Sequence, residues 1–120
     1  AEKYLADQDY IVGTVIVIGG TAEITQSQTS HDNSVLGVIS GKPAYLMNSE
    51  SSGLNVALTG RVPCMVKGPV RKGDVLVTSN IPGRAETLDP DRFMPGCILG
   101  KALEGTENDL DTIEIVVGIH

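Results

Sequence analysis

The sequence predicts an all-β fold, a small β-barrel or sandwich with a weak internal two-fold repeat. Three observations carry this. The apolar segments are short and rich in Val and Ile, as in Val15-Ile16-Val17-Ile18. Gly or Pro punctuates them at intervals of roughly ten residues. No window carries the apolar spacing of a long amphipathic helix.

Taken in order, the segments read as strands at Thr14 to Ile18, Ala22 to Thr25, Val35 to Ile39, Leu54 to Leu58, Arg61 to Lys67, Asp74 to Thr78, Arg84 to Glu86, Cys97 to Leu103 and Thr112 to Val117. Ala1 to Asp9 fits either a short helix or an extended lead-in. Pro63 falls inside the Arg61 to Lys67 run, and because proline has no N–H for a ladder, that strand should lie at an edge or bend there. Gly19-Gly20, Lys72-Gly73-Asp74, Ile81-Pro82-Gly83 and Met94-Pro95-Gly96 supply turn chemistry. The polar stretches Gln26 to Ser34 and Asn48 to Gly53 read as exposed loops.

The repeat is seen by setting two stretches side by side. Gly13-Thr14-Val15-Ile16-Val17, Ala22-Glu23, Val35-Leu36-Gly37-Val38-Ile39 and Ala57-Leu58-Thr59-Gly60 are followed by Gly73-Asp74-Val75-Leu76-Val77, Ala85-Glu86, Ile98-Leu99-Gly100-Lys101-Ala102 and Ile115-Val116-Val117-Gly118. The pseudo-repeats therefore span about 13–60 and 73–118 within a single β domain, 1–120. Two such copies closing on each other would remove sheet edges that either alone would expose.

Composition narrows the function classes. Nine Lys and Arg against fifteen Asp and Glu give a net charge of −6, and only three Tyr and one Phe are aromatic. Nucleic-acid binding needs clustered cations and stacking rings, so no nucleic-acid partner is expected. No apolar run approaches the roughly 20 residues of a membrane span. No basic start followed by an apolar stretch marks an export signal.

Several side chains are of types that carry chemistry, and each also has a structural reading. Ser30, His31, Asp32 and Ser34 contain the residue types of a nucleophilic triad, but sequence neighbours rarely converge, and such triads are assembled from distant segments. His31 and the terminal His120 do not read as ligands. The carboxylates Asp89, Asp91, Glu104, Glu107, Asp109 and Asp111 lack the glycine and closing glutamate of a calcium loop, and read as a solvated acidic face. Cys64 and Cys97 each lie in an apolar run with no partner at metal-ligand spacing, and read as reduced, buried thiols. No phosphate loop, dinucleotide fingerprint or zinc pattern is present. Catalytic, cofactor-binding and metal residues are all expected to be none, and no cofactor is implied.

Several blocks, in order and spacing, resemble a known family: Ala1-Glu2-Lys3-Tyr4-Leu5-Ala6-Asp7, Val12-Gly13-Thr14-Val15, Gly37 to Ser49 with Gly41-Lys42-Pro43-Ala44-Tyr45-Leu46-Met47 at its centre, Gly60-Arg61-Val62-Pro63-Cys64, Gly68 to Thr78 and Leu99 to Glu104. The resemblance is to a domain near the C-termini of tail-fibre and other structural proteins of tailed phages, notably phages of marine cyanobacteria, and it covers nearly the whole chain. It implies a non-catalytic virion module, made in the host bacterial cytoplasm and cut from a longer fibre protein. Such a module would support assembly of a homo-oligomer, a trimer, with other fibre or tail proteins as partners. Gln26 to Asn33 and Asn48 to Gly53 would be the loops free to meet a host surface receptor.

More distantly, the family is similar to the self-cleaving intramolecular chaperone domains of phage appendages, so an autoproteolytic chaperone is the alternative. Cleavage there uses a Ser or Asp near the domain start. Here no Ser precedes Ser27, only Glu2, Asp7 and Asp9 are acidic near the start, and the one stretch to name as reactive is Asn48-Ser49-Glu50-Ser51.

Overall fold

The computed structural model describes residues 2–41 and 53–118. The fold is all-β, with ten strands among the described residues: β1 Glu2–Tyr4, β2 Val15–Ile18, β3 Ile24–Gln26, β4 Val35–Gly41, β5 Leu54–Ala57, β6 Gly60–Lys67, β7 Val75–Thr78, β8 Ala85–Thr87, β9 Ile98–Ala102 and β10 Leu110–Val117. The first five form a sheet in the order β1-β5-β4-β2-β3, and the last five a closed barrel in the order β10-β6-β8-β7-β9.

These are two copies of one unit. In the first, Val15 pairs with Val38 and Ile16 with Gly37 before the register shifts. In the second, Val75 pairs with Lys101 and Leu76 with Gly100 before the same shift. Ile18 opposite Ile24 becomes Thr78 opposite Ala85. Val56 opposite Glu2 becomes Ile115 opposite Val62, so β1 and β6 are equivalent as well. Even the closing seam recurs, a parallel bridge from Ala6 to Ile24 in one unit and from Val66 to Ala85 in the other.

The registers also adjust the alignment read from the sequence. Ile24-Thr25, not Ala22-Glu23, stands where Ala85-Glu86 stands, and Gly118 takes the place of Thr59 rather than Gly60.

Each copy is built the same way from local chemistry. The turn into β2 needs a left-handed residue at Gly13 (φ 97°), and the turn into β7 needs one at Gly73 (φ 92°). Their N–H groups donate to Ile39 O and Ala102 O at 2.9 and 2.8 Å, locking each turn to the fourth strand of its unit. Gly37 and Gly100 are required for another reason: a Cβ there would run into the Ala57 and Val116 carbonyl oxygens. In β6 and β10 buried and partly exposed residues alternate, placing Val62, Cys64 and Val66 opposite Ile115, Ile113 and Asp111 across the ladder.

The interiors correspond position by position. Tyr10, Ile16, Ile24, Ile39, Leu54 and Val56 fill the first unit, and Val70, Leu76, Ala85, Ala102, Ile113 and Ile115 fill the second. The second interior is continuous with Val15, Val38 and Ala57, which belong to the first unit but face outward from it. The units are thus joined by apolar packing of one unit's outer face. Burying an aliphatic side chain contributes roughly 1.5–3 kcal/mol.

The structure amends several sequence expectations. Ala1 to Asp9 is extended over Glu2–Tyr4, where β1 pairs with β5. The second strand starts at Ile24, because Ala22 and Glu23 sit in a turn closed by the Gly19 N–H on Glu23 O (3.1 Å). Pro63 does not sit at a free edge, since β6 lies between β10 and β8 in the barrel. Its missing N–H lies on the side away from β10, where Met65 two residues on donates to Gly13 O at 2.8 Å, so the β6–β10 ladder runs through it intact.

The stretch Gln26 to Ser34 is not an exposed loop. Ser27 and His31 are buried and only Gln28, Thr29 and Asn33 are exposed, because the segment lies against the second unit. Of Asn48 to Gly53 only Gly53 is described, and it is buried. Cys64 and Cys97 are buried and unbridged, and burial pushes the Cys64 thiol far above its ordinary range.

Candidate functional site

Two kinds of surface could carry function: the polar cluster where the units meet, and the apolar side chains left bare.

The cluster centres on His31, which is held in a left-handed conformation (φ 58°) uncommon for a residue with a side chain. Its N–H donates to Thr78 O at 3.0 Å, and Thr78 Oγ1 bridges back, donating to Thr29 O (2.6 Å) and accepting from the Asp32 N–H (2.8 Å). The imidazole Nε2 accepts the Asp89 N–H at 3.0 Å, which leaves the ring proton on Nδ1. Nδ1 donates to Ser30 Oγ at 2.7 Å, and Ser30 Oγ donates to Glu86 Oε2 at 2.6 Å. Lys67 Nζ lies 3.8 Å from the other Glu86 oxygen.

This arrangement brings Ser30 and His31 together in roles opposite to those of a triad. The imidazole gives its proton toward the serine, and the basic nitrogen is occupied by a backbone donor. A general base must instead accept the serine proton. The chain of hydrogen bonds holds the 27–34 segment onto the second unit.

Asp32 faces elsewhere, its Oδ1 accepting the Ser34 N–H at 2.8 Å. Glu86, the residue that completes the cluster, gave no signal in the sequence because it comes from the other unit.

The C-terminal carboxylates serve local structure. Asp89 accepts the Asp91 N–H at 3.0 Å at the start of the 3-10 turn Pro90–Arg92. Glu104 accepts the Glu114 N–H at 2.8 Å. Asp111 accepts from Thr106 Oγ1 (2.6 Å), the Thr112 N–H and Asn108, and these donors hold its carboxyl below the usual range. Glu107 and Asp109 are exposed. Among the described residues no group of three or more His, Cys, Asp or Glu is placed to hold a metal ion. His120 and Asn48-Ser49-Glu50-Ser51 lie outside the described residues.

The bare apolar side chains fall in separate places. Tyr4, Ile18, Gly19, Ala22, Glu23 and Ile24 line a groove of about 390 Å³ at the far end of the first unit, with Ile18 61% exposed and Leu5 51% exposed. Phe93 and Met94, 50% and 46% exposed, stand on the loop between β8 and β9 in the second unit. Ile11 and Val12 project from the turn into β2. The run Val15 to Ile18 was the available signal for the groove. Four consecutive apolar residues in a strand make both faces apolar, whereas a strand with one wet face alternates.

No family model, curated protein or solved structure matches the chain.

Proposed function

We propose that this chain is a non-catalytic structural module of a phage tail fibre or related virion protein, in which copies associate, three together, through apolar side chains left bare on the folded surface. The observation that supports the reading is the groove around Ile18. It is an apolar recess on a well-packed unit, and contiguous apolar surface of this kind marks interaction sites. The sequence resemblance supplies the setting, and cyclic symmetry is the commonest way for identical chains to satisfy such surfaces. Other fibre or tail proteins would meet the same assembly.

Light scattering coupled to size exclusion at micromolar concentration tests this. A mass near three times 12.6 kDa is expected. A concentration-independent mass near 12.6 kDa overturns association by this chain. Intact mass should also stay constant on long incubation, and a discrete fragment would favour the autoproteolytic chaperone instead.

A further inference from the structure

We infer that copies of this chain join head to tail, the second unit of one copy seating on the first unit of the next as the first unit seats on the second within a chain. This rests on the reading that copies associate, and it assigns the surfaces they use.

Contact between the units inside one chain is not symmetric. The first unit contributes the start of β2 and the loop after β3: Gly13 O accepts from Met65 N–H (2.8 Å), Ser27 O from Gly83 N–H (2.9 Å), and the His31 segment closes over Thr78. The second unit contributes mainly different parts, namely β6, the end of β7 and the β7–β8 turn, although the flanks of the β8–β9 loop also meet the first unit, Asp89 N–H donating to His31 Nε2 at 3.0 Å and Gly96 facing the Asn33 carbonyl, and β4 touches its counterpart β9. Where two like units use different surfaces, each unit keeps an unused copy of those parts of the other's surface. Such contacts propagate into a ring if the rotation closes and a filament if it does not.

Leu5, Ile18, Phe93 and Met94, four of the seven large apolar side chains left bare among the described residues, lie on the unused surfaces. By register, the position of buried Thr78 is taken in the first unit by Ile18, which is 61% exposed. Across the seam, the position of Met65 is taken by Leu5, which is 51% exposed. On the other surface, Leu88 donates its N–H to Val75 O as Ser27 does to Val15 O, so the two loops leave their sheets at the same point. The second loop is two residues longer and includes the 3-10 turn Pro90–Arg92, so the stretch Arg92 to Met94 corresponds to His31 on the first.

Ile18 of one copy therefore meets Phe93 of the next, as Thr78 meets the His31 segment within a chain. The charges change in opposite senses on the two surfaces. Exposed Lys101 replaces buried Val38 on one, and exposed Glu23 replaces Arg84 on the other. A ring of three copies would have no unused surface and would agree with the proposed trimer.

The test uses two variants of the full chain, Ile18→Cys and Phe93→Cys, treated with a short bis-maleimide separately and as an equimolar mixture. Cys64 and Cys97 are fully buried and stay out of reach in the folded chain. Cross-linked dimer is expected in the mixture and absent from either variant alone. Ile18→Asp should reduce the light-scattering mass to 12.6 kDa with the far-UV circular dichroism unchanged.

An oligomeric mass without cross-linking in the mixture, or with cross-linking in one variant alone, overturns the head-to-tail contact and leaves the fibre-module reading standing. A monomeric mass for the unaltered chain at every concentration overturns the head-to-tail contact and, with it, association by this chain.

Discussion

The two units share their central strand registers and differ in what covers them. Val15, Val38 and Ala57 are buried on the outer face of the first unit, whereas Val75, Lys101 and Val116 at the same places on the second are half-buried or exposed. The difference reverses at the other end, where Thr78 is buried and Ile18 is bare. Turns show it too. The turn into β2 is closed by Thr14 N–H on Ile11 O (3.2 Å) and the turn into β7 by Asp74 N–H on Arg71 O (3.0 Å), yet the exposed pairs are Ile11-Val12 in one and Arg71-Lys72 in the other. Residues inside a unit answer to its registers, and residues on its faces answer to its neighbours.

Exchanging residues between the outer faces should have the largest effect. Val38→Lys puts an unpaired charge into the contact between units and should cost about 3 kcal/mol or more, because a buried ammonium has no compensating partner there. Lys101→Val, the reverse change at the equivalent exposed position, should stay within about 0.5 kcal/mol in the monomer. Urea titration of both variants measures the asymmetry, and equal losses would contradict it.

The interior symmetry is open to a parallel test. Gly37→Ala and Gly100→Ala each drive a methyl group into a facing carbonyl, and each should lose roughly 1–3 kcal/mol. If either variant melts like the unaltered chain, the two glycines are not equivalent.

A smaller effect separates the units by pH. The Tyr10 hydroxyl, donating to Asp7 at 2.6 Å, holds the Asp7 carboxyl below its ordinary value, with Thr25 adding a second donor at 2.9 Å. A lowered folded-state value means stabilisation that is present above the ordinary carboxylate range, about pH 4, and is lost as pH falls through the folded-state value. Asp7→Asn should flatten that acid limb of the melting curve in the first unit. Asp111→Asn should do the same in the second, where Thr106 is the leading donor. Tyr10 is raised, chiefly by burial, so its contribution is present below about pH 10 and fades as pH rises through the folded-state value.

The smallest change expected is at Ser27. Its hydroxyl is fully buried with no hydrogen-bond partner, while its twin position is the apolar Leu88. An unsatisfied buried hydroxyl costs about 1–3 kcal/mol, so Ser27→Ala should leave the melting temperature unchanged or raise it. A clear loss would mean that the hydroxyl has a partner after all.

What the sequence could and could not disclose follows the same division. All nine expected strands form, because Val and Ile runs bounded by glycine and proline encode the interior of each unit directly. The repeat was legible from Gly13, Gly37, Gly73 and Gly100, whose roles are local to a turn or to one adjacent strand. The burial of His31, its link through Ser30 to Glu86, and the correspondence of Ile18 with Thr78 were not legible. Each depends on how one unit meets another, which no spacing within 27–34 or 15–18 records. Pro63 misled for a related reason, since its free side faces Gly13 of the other unit.

The seams of the two units set how the chain acquires its shape. Each unit brings its first strand to its last, Glu2 to Val56 and Gly60 to Val117, so little of either is held by contacts between near neighbours. Such topologies fold slowly, because loop closure must be met before the pairings that reward it. The two units are consecutive in the chain and do not interleave. On a ribosome the first can therefore close once β5 has emerged, and it then offers its finished outer face, Val15, Val38 and Ala57, as a surface on which the second is assembled.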